Sequence, residues 1–266
     1  MRQIRNRTIA SLVGAVLALA ACSAAPTEPA NLEPASPEPA SDARPPLGLM
    51  SSLPLYWPAD ADIADIAADR AAPPWQRRAI ETRYRPVPLD TLTPIPALSP
   101  DTPETDPLAD LDRLAVIQPR GLSPGDNVAL DAWVRGGGSL LLVLDPATTG
   151  DYDLPLGDPR RPVETALIPP VVERWGLAVS FDERQALAVA DASLGGAALP
   201  LALPGRIAVT DPAAADCTLA AEGAAAACRV GKGRVTLIAD AALFEHPELA
   251  GENGQTLAGL LAAAFE

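Results

Sequence analysis

Residues 114–146 read LAVIQPRGLSPGDNVALDAWVRGGGSLLLVLDP. The apolar run Leu114 to Ile117 stops at Gln118-Pro119, the pattern of a short strand buried on both faces. Ser123-Pro124-Gly125-Asp126 then supplies a helix start. It offers a hydroxyl N-cap, a proline in the first turn and an acid at the third helical position. Val128, Leu130, Trp133 and Val134 give the predicted helix an apolar face, and Gly136-Gly137-Gly138 ends it. Ser139 to Leu144 is a second apolar run, closed by Asp145-Pro146. Strand, helix and strand in this order form a βαβ unit with parallel strands and a right-handed crossover.

Outward from this block, Leu47 to Trp57 reads as a first strand and Trp75 to Arg83 as a helix. Tyr84 to Leu89 (YRPVPL) is extended, and its two prolines suit an edge position. Pro169 to Trp175 reads as a helix stopped by Gly176. Short strands follow at Ala178–Phe181 and Arg206–Val209. Cys217–Leu219 and Ala226–Val230 read as a hairpin. Arg234–Ala239 is a third buried strand, closed by Asp240, and Thr256–Phe265 is a terminal helix. The expectation is an α/β domain with a single doubly wound, mostly parallel sheet of the Rossmann or flavodoxin type and a late β-hairpin.

The N-terminus carries an address. Arg2, Arg5 and Arg7 precede an apolar run, Ile9 to Ala20, that is too short to span a bilayer. Leu19-Ala20-Ala21-Cys22 follows and resembles the lipobox of bacterial lipoproteins, in which the cysteine is diacylated and becomes the new N-terminus. The expected organisation is a signal peptide over 1–21, a lipidated Cys22 with a tether over 22–46, and a folded domain over 47–266. This implies a bacterial envelope protein facing the periplasm and held to a membrane by its N-terminal lipid, with the choice of inner or outer membrane open. Seven of the 24 residues from Ser23 to Pro46 are proline, so the tether extends up to about 75 Å if wholly polyproline-like.

The chain has 266 residues, 34 acids against 20 bases, a single His, and 4% aromatic residues. Loss of residues 1–21 removes three arginines and no acid, leaving 17 bases against 34 acids. A surface this acidic argues against nucleic-acid binding.

Three stretches, the opening block together with PPVVERWGLAVS (169–180) and GKGRVTLIADAALFE (231–245), resemble the auxiliary component of gliding-motility-type ABC transport systems. That family has a fold similar to the class I glutamine amidotransferases. The resemblance covers residues 47–266, and its members usually carry transmembrane helices where this chain has a lipid anchor. It implies an accessory role in binding or assembly beside a transporter permease and ATPase.

Amidotransferase chemistry needs a cysteine on a strand-to-helix elbow, with a histidine base. Neither Cys217 nor Cys228 sits on such an elbow. His246, between Glu245 and Pro247, reads as a solvated loop residue. The expectation is therefore a protein that is not an enzyme and uses no cofactor and no metal. Cys217 and Cys228 flank a turn at Glu222-Gly223, and an even pair in an oxidising compartment points to a disulfide, with reactive or metal-binding thiols as the alternative. Gly231-Lys232-Gly233 lacks the rest of a phosphate loop.

Gln118, Asp145 and Asp240 each end a predicted strand, where open α/β sheets place their ligand crevice. They are the candidate crevice residues. Paired carboxylates there can serve acid–base chemistry or hold a cation, as in an envelope hydrolase or a glycan-binding protein. The alternative is that they bond the backbone N–H groups of the following loops.

Overall fold

A computed structural model describes residues 43–265 except 69, 98 and 100. The central sheet has seven strands: β1 (Pro46–Ser51), β2 (Arg85–Pro88), β3 (Arg113–Ile117), β4 (Ser139–Val143), β9 (Asp216–Ala220), β10 (Ala225–Val230) and β11 (Gly233–Ile238), in the spatial order β2-β1-β3-β4-β11-β10-β9. Four pairings, from β2 through β11, are parallel. The β11–β10 and β10–β9 pairings are antiparallel. Two antiparallel ribbons stand apart from it: β5 (Leu177–Ser180) with β8 (Arg206–Val209), and β6 (Val189–Leu194) with β7 (Ala197–Ala202).

The expectation of a single doubly wound, mostly parallel Rossmann-type sheet is therefore corrected. The central sheet is mixed, and among the described residues antiparallel pairings are as numerous as parallel ones. The cause lies in the connections after residue 176. A parallel neighbour needs a long crossover, whereas a tight turn returns the chain antiparallel. Gly195 and Gly196, at φ +56° and +84°, join β6 to β7 in a two-residue loop of the kind glycine favours. A short 3-10 turn over Ala221–Gly223 joins β9 to β10.

The opening block forms as its sequence requires. Ser123 Oγ accepts from Asp126 N, and Asp126 Oδ2 accepts from Ser123 N, closing a capping box at the start of α3 (Pro124–Gly136). Leu130 and Val134 are buried, each contributing about 2 kcal/mol by removal from water. Val128 does not join them. It lies two residues, or about 200°, around the helix from Leu130 and is 70% exposed. Gly233 opens β11 because a Cβ there would lie 2.0 Å from the Val134 carbonyl oxygen.

Alternate strand residues serve opposite layers. Ala115, Ile117, Leu141 and Val143 pack with α2 (Trp75–Glu81) and α6 (Gln255–Phe265). Leu114, Val116, Leu140 and Leu142 pack with α3 and α4 (Pro170–Arg174). Asp131 ties these last two helices by accepting from Trp175 Nε1 at 2.8 Å and from Arg174 Nε at 2.7 Å. The helices α1 (Ile63–Ala67) and α5 (Ala242–Glu245) follow β1 and β11. No helix among the described residues is long and apolar enough to cross a membrane.

The sheet's two edges differ. Strand β2 carries Pro86 and Pro88, which have no N–H to offer a neighbour. Strand β9 carries Cys217, bonded to Cys228 of β10 directly across the ladder, with a Cα–Cα distance of 4.1 Å. The expected disulfide is thus present. Cys22 and the greater part of the tether lie outside the described residues.

Candidate functional site at the carboxyl edge of the parallel strands

Strands β3, β4 and β11 lie side by side, so the residues that follow them are brought together. Gln118 is fully buried in the left-handed region, at φ +44°. Its neighbours hold it there. Its Nε2 donates to the Asp145 and Val163 carbonyls, and its Oε1 accepts from Asp145 N at 2.8 Å. The Gln118 carbonyl accepts from Ser52 N and Ser52 Oγ. One residue thereby stitches together the chain after β1, through its carbonyl, and the end of β4 and the loop beyond it, through its side chain.

Asp145 and Asp240 are 0% and 2% exposed. Every carboxylate oxygen of the pair accepts a backbone N–H. Asp145 takes Ala147 N and Ala241 N, and Asp240 takes Ala242 N and Ala202 N, at 2.7–2.8 Å. Burial pushes Asp145 up to about 7, with the charge of Glu245 adding to it. Burial pushes Asp240 up to about 8, helped by the charges of Asp145 and Glu245. The amide donors act the other way and do not overcome burial. The three candidate crevice residues are therefore together, but sealed, and the backbone-bonding alternative describes their contacts.

The half-buried groups of this edge are different ones. Glu245, at the end of α5, accepts from Thr149 N at 3.0 Å, Gly150 N at 3.1 Å and the Tyr152 hydroxyl at 2.6 Å. His246 Nε2 lies 2.9 Å from Thr149 Oγ1. Burial and the Glu245 charge raise the Tyr152 hydroxyl far above its usual range, so it remains a donor. After β1, the rings of Tyr56 and Trp57 meet edge to face at 5.2 Å. The Arg77 guanidinium lies 4.2 Å and 5.0 Å from their centroids.

Sequence reasoning placed His246 in a solvated loop and left Glu245 and Tyr152 without a role. Tyr152 and Glu245 are 93 positions apart, so no local spacing signals the pair. Among the described residues no group of three or more His, Cys, Asp or Glu side chains is arranged to hold a metal ion.

No protein-family model and no curated protein matches the chain. Among solved structures it is similar to an exo-β-1,4-mannosidase from an Opitutaceae bacterium, strain TAV5, at 16% identity and a TM-score of 0.46. That match covers 83% of this chain and 36% of the mannosidase. A β-galactosidase from Rahnella sp. R3 matches at 12% identity over 83% of this chain and 30% of its own, with a TM-score of 0.44. One from Bacillus circulans sp. alkalophilus matches at 9% identity over 82% and 30%, with a TM-score of 0.42. The chain thus spans about a third of the length of these structures.

These findings correct the expected membership in the amidotransferase-like auxiliary family of ABC transport systems. No family model supports it, and the similar structures are named as glycoside hydrolases. The ABC-transport assignment rested on that membership and is corrected with it. The expectation of a protein that is not an enzyme came from the missing Cys–His centre, which bears on amidotransferase chemistry alone, and is corrected because the similar structures are named as glycosidases.

Proposed function

We propose that the protein is a lipid-anchored, glycan-binding protein of the bacterial cell envelope that takes a neutral oligosaccharide at the carboxyl edge of its parallel strands. The observation that carries this reading is the half-buried set of Glu245, Tyr152, Thr149 and His246, on the edge that also bears Tyr56 and Trp57. Sugar hydroxyls both donate and accept hydrogen bonds. A fixed carboxylate, an imidazole and a threonine hydroxyl answer both roles, and aromatic rings cover the C–H face of a pyranose. The excess of acids disfavours anionic polymers. The lipobox-like LAAC at 19–22 supports the location.

Titration calorimetry of the mature chain against neutral oligosaccharides and peptidoglycan fragments tests the reading. At least one compound binds, and Glu245→Gln and Trp57→Ala each weaken it about tenfold, the loss of one good polar or stacking contact. Absence of binding across the panel overturns it. Mass spectrometry of the native protein tests the anchor. A chain that keeps Met1 and a free Cys22 thiol overturns the envelope assignment.

Hydrolysis of the bound glycan is the second reading, favoured by two carboxyls raised to about 7 and 8. Their burial places them out of a substrate's reach unless the loop after β4 opens. Turnover of any panel member, abolished by Asp145→Asn, replaces binding with hydrolysis as the function.

A further inference from the structure

The exposed side of α3 carries an apolar ridge, formed by Val128 and Ala132 one turn apart. A groove runs along each flank. The larger, about 690 Å³, is floored by Leu108, Ala129 and Trp133 and walled by Thr93, Pro94 and Asp106 of the loop before β3. The smaller, about 440 Å³, lies toward α4, against Pro170 and Val171. The Trp133 indole N–H already donates to the Leu111 carbonyl at 3.0 Å, so the ring contributes apolar surface and no free donor to the groove. A ridge of small side chains between two grooves is the surface onto which a second helix packs.

The walls differ in charge. The loop over 91–112 contains Asp101, Glu104, Asp106, Asp110 and Asp112, all exposed, and no Lys or Arg. Across the ridge, Arg174 and Arg135 are paired with Asp131 at 2.7 Å and 2.8 Å. One flank is therefore strongly negative and the other close to neutral.

We infer that this face of α3 is a docking surface for an amphipathic helix of another protein, its apolar stripe on Val128 and Ala132 and its basic flank against the acidic loop. Charge complementarity selects the occupant. A helix with an acidic flank is repelled from the same wall, and this chain, with its surplus of acids, makes a poor partner for a second copy of itself. The surface is separate from the strand-end edge and does not depend on the glycan reading.

The test uses the full mature chain and two synthetic amphipathic helices of identical apolar stripe, one with a lysine flank and one with glutamate in its place. Calorimetry finds the lysine peptide bound at least tenfold tighter, with affinity falling as salt rises. Val128→Asp reduces that binding at least tenfold. Because Val128 is exposed, the variant keeps the parent's circular dichroism. Asp106→Asn with Asp110→Asn weakens binding and flattens its salt dependence, whereas Asp151→Asn with Asp153→Asn, on the exposed loop after β4, does neither. Equal binding of both peptides, no binding of either, or an unchanged affinity in Val128→Asp overturns the inference. An equal loss in the Asp151 and Asp153 variant also overturns it, since binding would then follow total charge.

Discussion

Asp126 and the Asp145–Asp240 pair are buried carboxylates that accept backbone N–H groups, yet their proton affinities move in opposite directions. Asp126, 7% exposed, receives six donors: the hydroxyls of Thr91, Thr93 and Ser123 and the amides of Leu92, Thr93 and Ser123. Burial alone would raise it. The bonds from the Ser123 hydroxyl, Leu92 amide, Thr91 hydroxyl and Ser123 amide outweigh burial and hold it well below the usual carboxylate range. Asp145 and Asp240 have two amides each and lie deeper; the charge of Glu245 acts on both and that of Asp145 also on Asp240, and burial prevails. Donor number weighed against depth of burial, with the sign of the nearest charge, decides whether a buried acid keeps its proton.

The sharpest way to break this comparison is Asp126→Ala. It removes the side-chain half of the capping box, leaving the Ser123 cap on the residue 126 amide, and leaves three backbone amides and three hydroxyls to find other partners. We expect a loss of about 3 kcal/mol in denaturant unfolding. A loss near zero would mean that the six bonds do not act together.

Next in size is the double substitution Asp145→Asn with Asp240→Asn. Each amide NH2 then faces a backbone donor, and the expected cost is about 2 kcal/mol in mild acid. The variant also loses the pH dependence described next.

In the unaltered protein the two acids bind protons more tightly folded than unfolded. Folding therefore takes up protons below about pH 8, and stability rises as pH falls toward the unfolded carboxylate value near 4. Asp126, whose value is lowered by folding, contributes stability that is present above that value and lost on further acidification. The melting temperature should be higher at about pH 6 than at about pH 9. The reverse order would show that the pair is not protonated in the folded state.

The smallest expected effect is that of Glu245→Gln. Its charge raises both acids, so its removal moves the neutral-range transition to lower pH. The side chain is half-buried, and the accompanying change in stability should stay within about 1 kcal/mol. An unmoved transition would remove Glu245 from the coupled set.

Much of the scaffold could be read from local chemistry. Ser123, Pro124 and Asp126 mark the start of α3 because the cap uses neighbouring residues. The runs at 114–117, 139–144 and 234–239 match β3, β4 and β11 to within a residue because both faces of those strands are covered. The apolar stretch from Leu47 to Trp57 predicts a longer first strand than the one that forms, Pro46–Ser51. The chain leaves the sheet after Ser51 although Leu53 and Leu55 remain buried, because apolar residues can fill a core from a loop as well as from a strand.

The β6–β7 ribbon had a signal, Gly195-Gly196, but its flanking strands are rich in alanine, asparagine-free and weakly alternating, so pattern alone passed over it. Gln118, Asp145 and Asp240 could be placed at one edge because strand ends are local features. That they are sealed, and that Glu245 and Tyr152 meet above them, depends on how the loop after β4 folds back, which no short spacing encodes.

The bond between Cys217 and Cys228 joins the outermost strand to its neighbour one pair from the open end of their ladder. The other edge of the sheet is blunted by two prolines, so β9 is the edge whose backbone can template a foreign strand. While the bond stands, that strand cannot peel away to expose β10 behind it, and partial unfolding has to start elsewhere. The expected signature is a molecule that survives warming and proteases as a clean, soluble species, and turns to fibrillar or clumped material soon after a reductant is added.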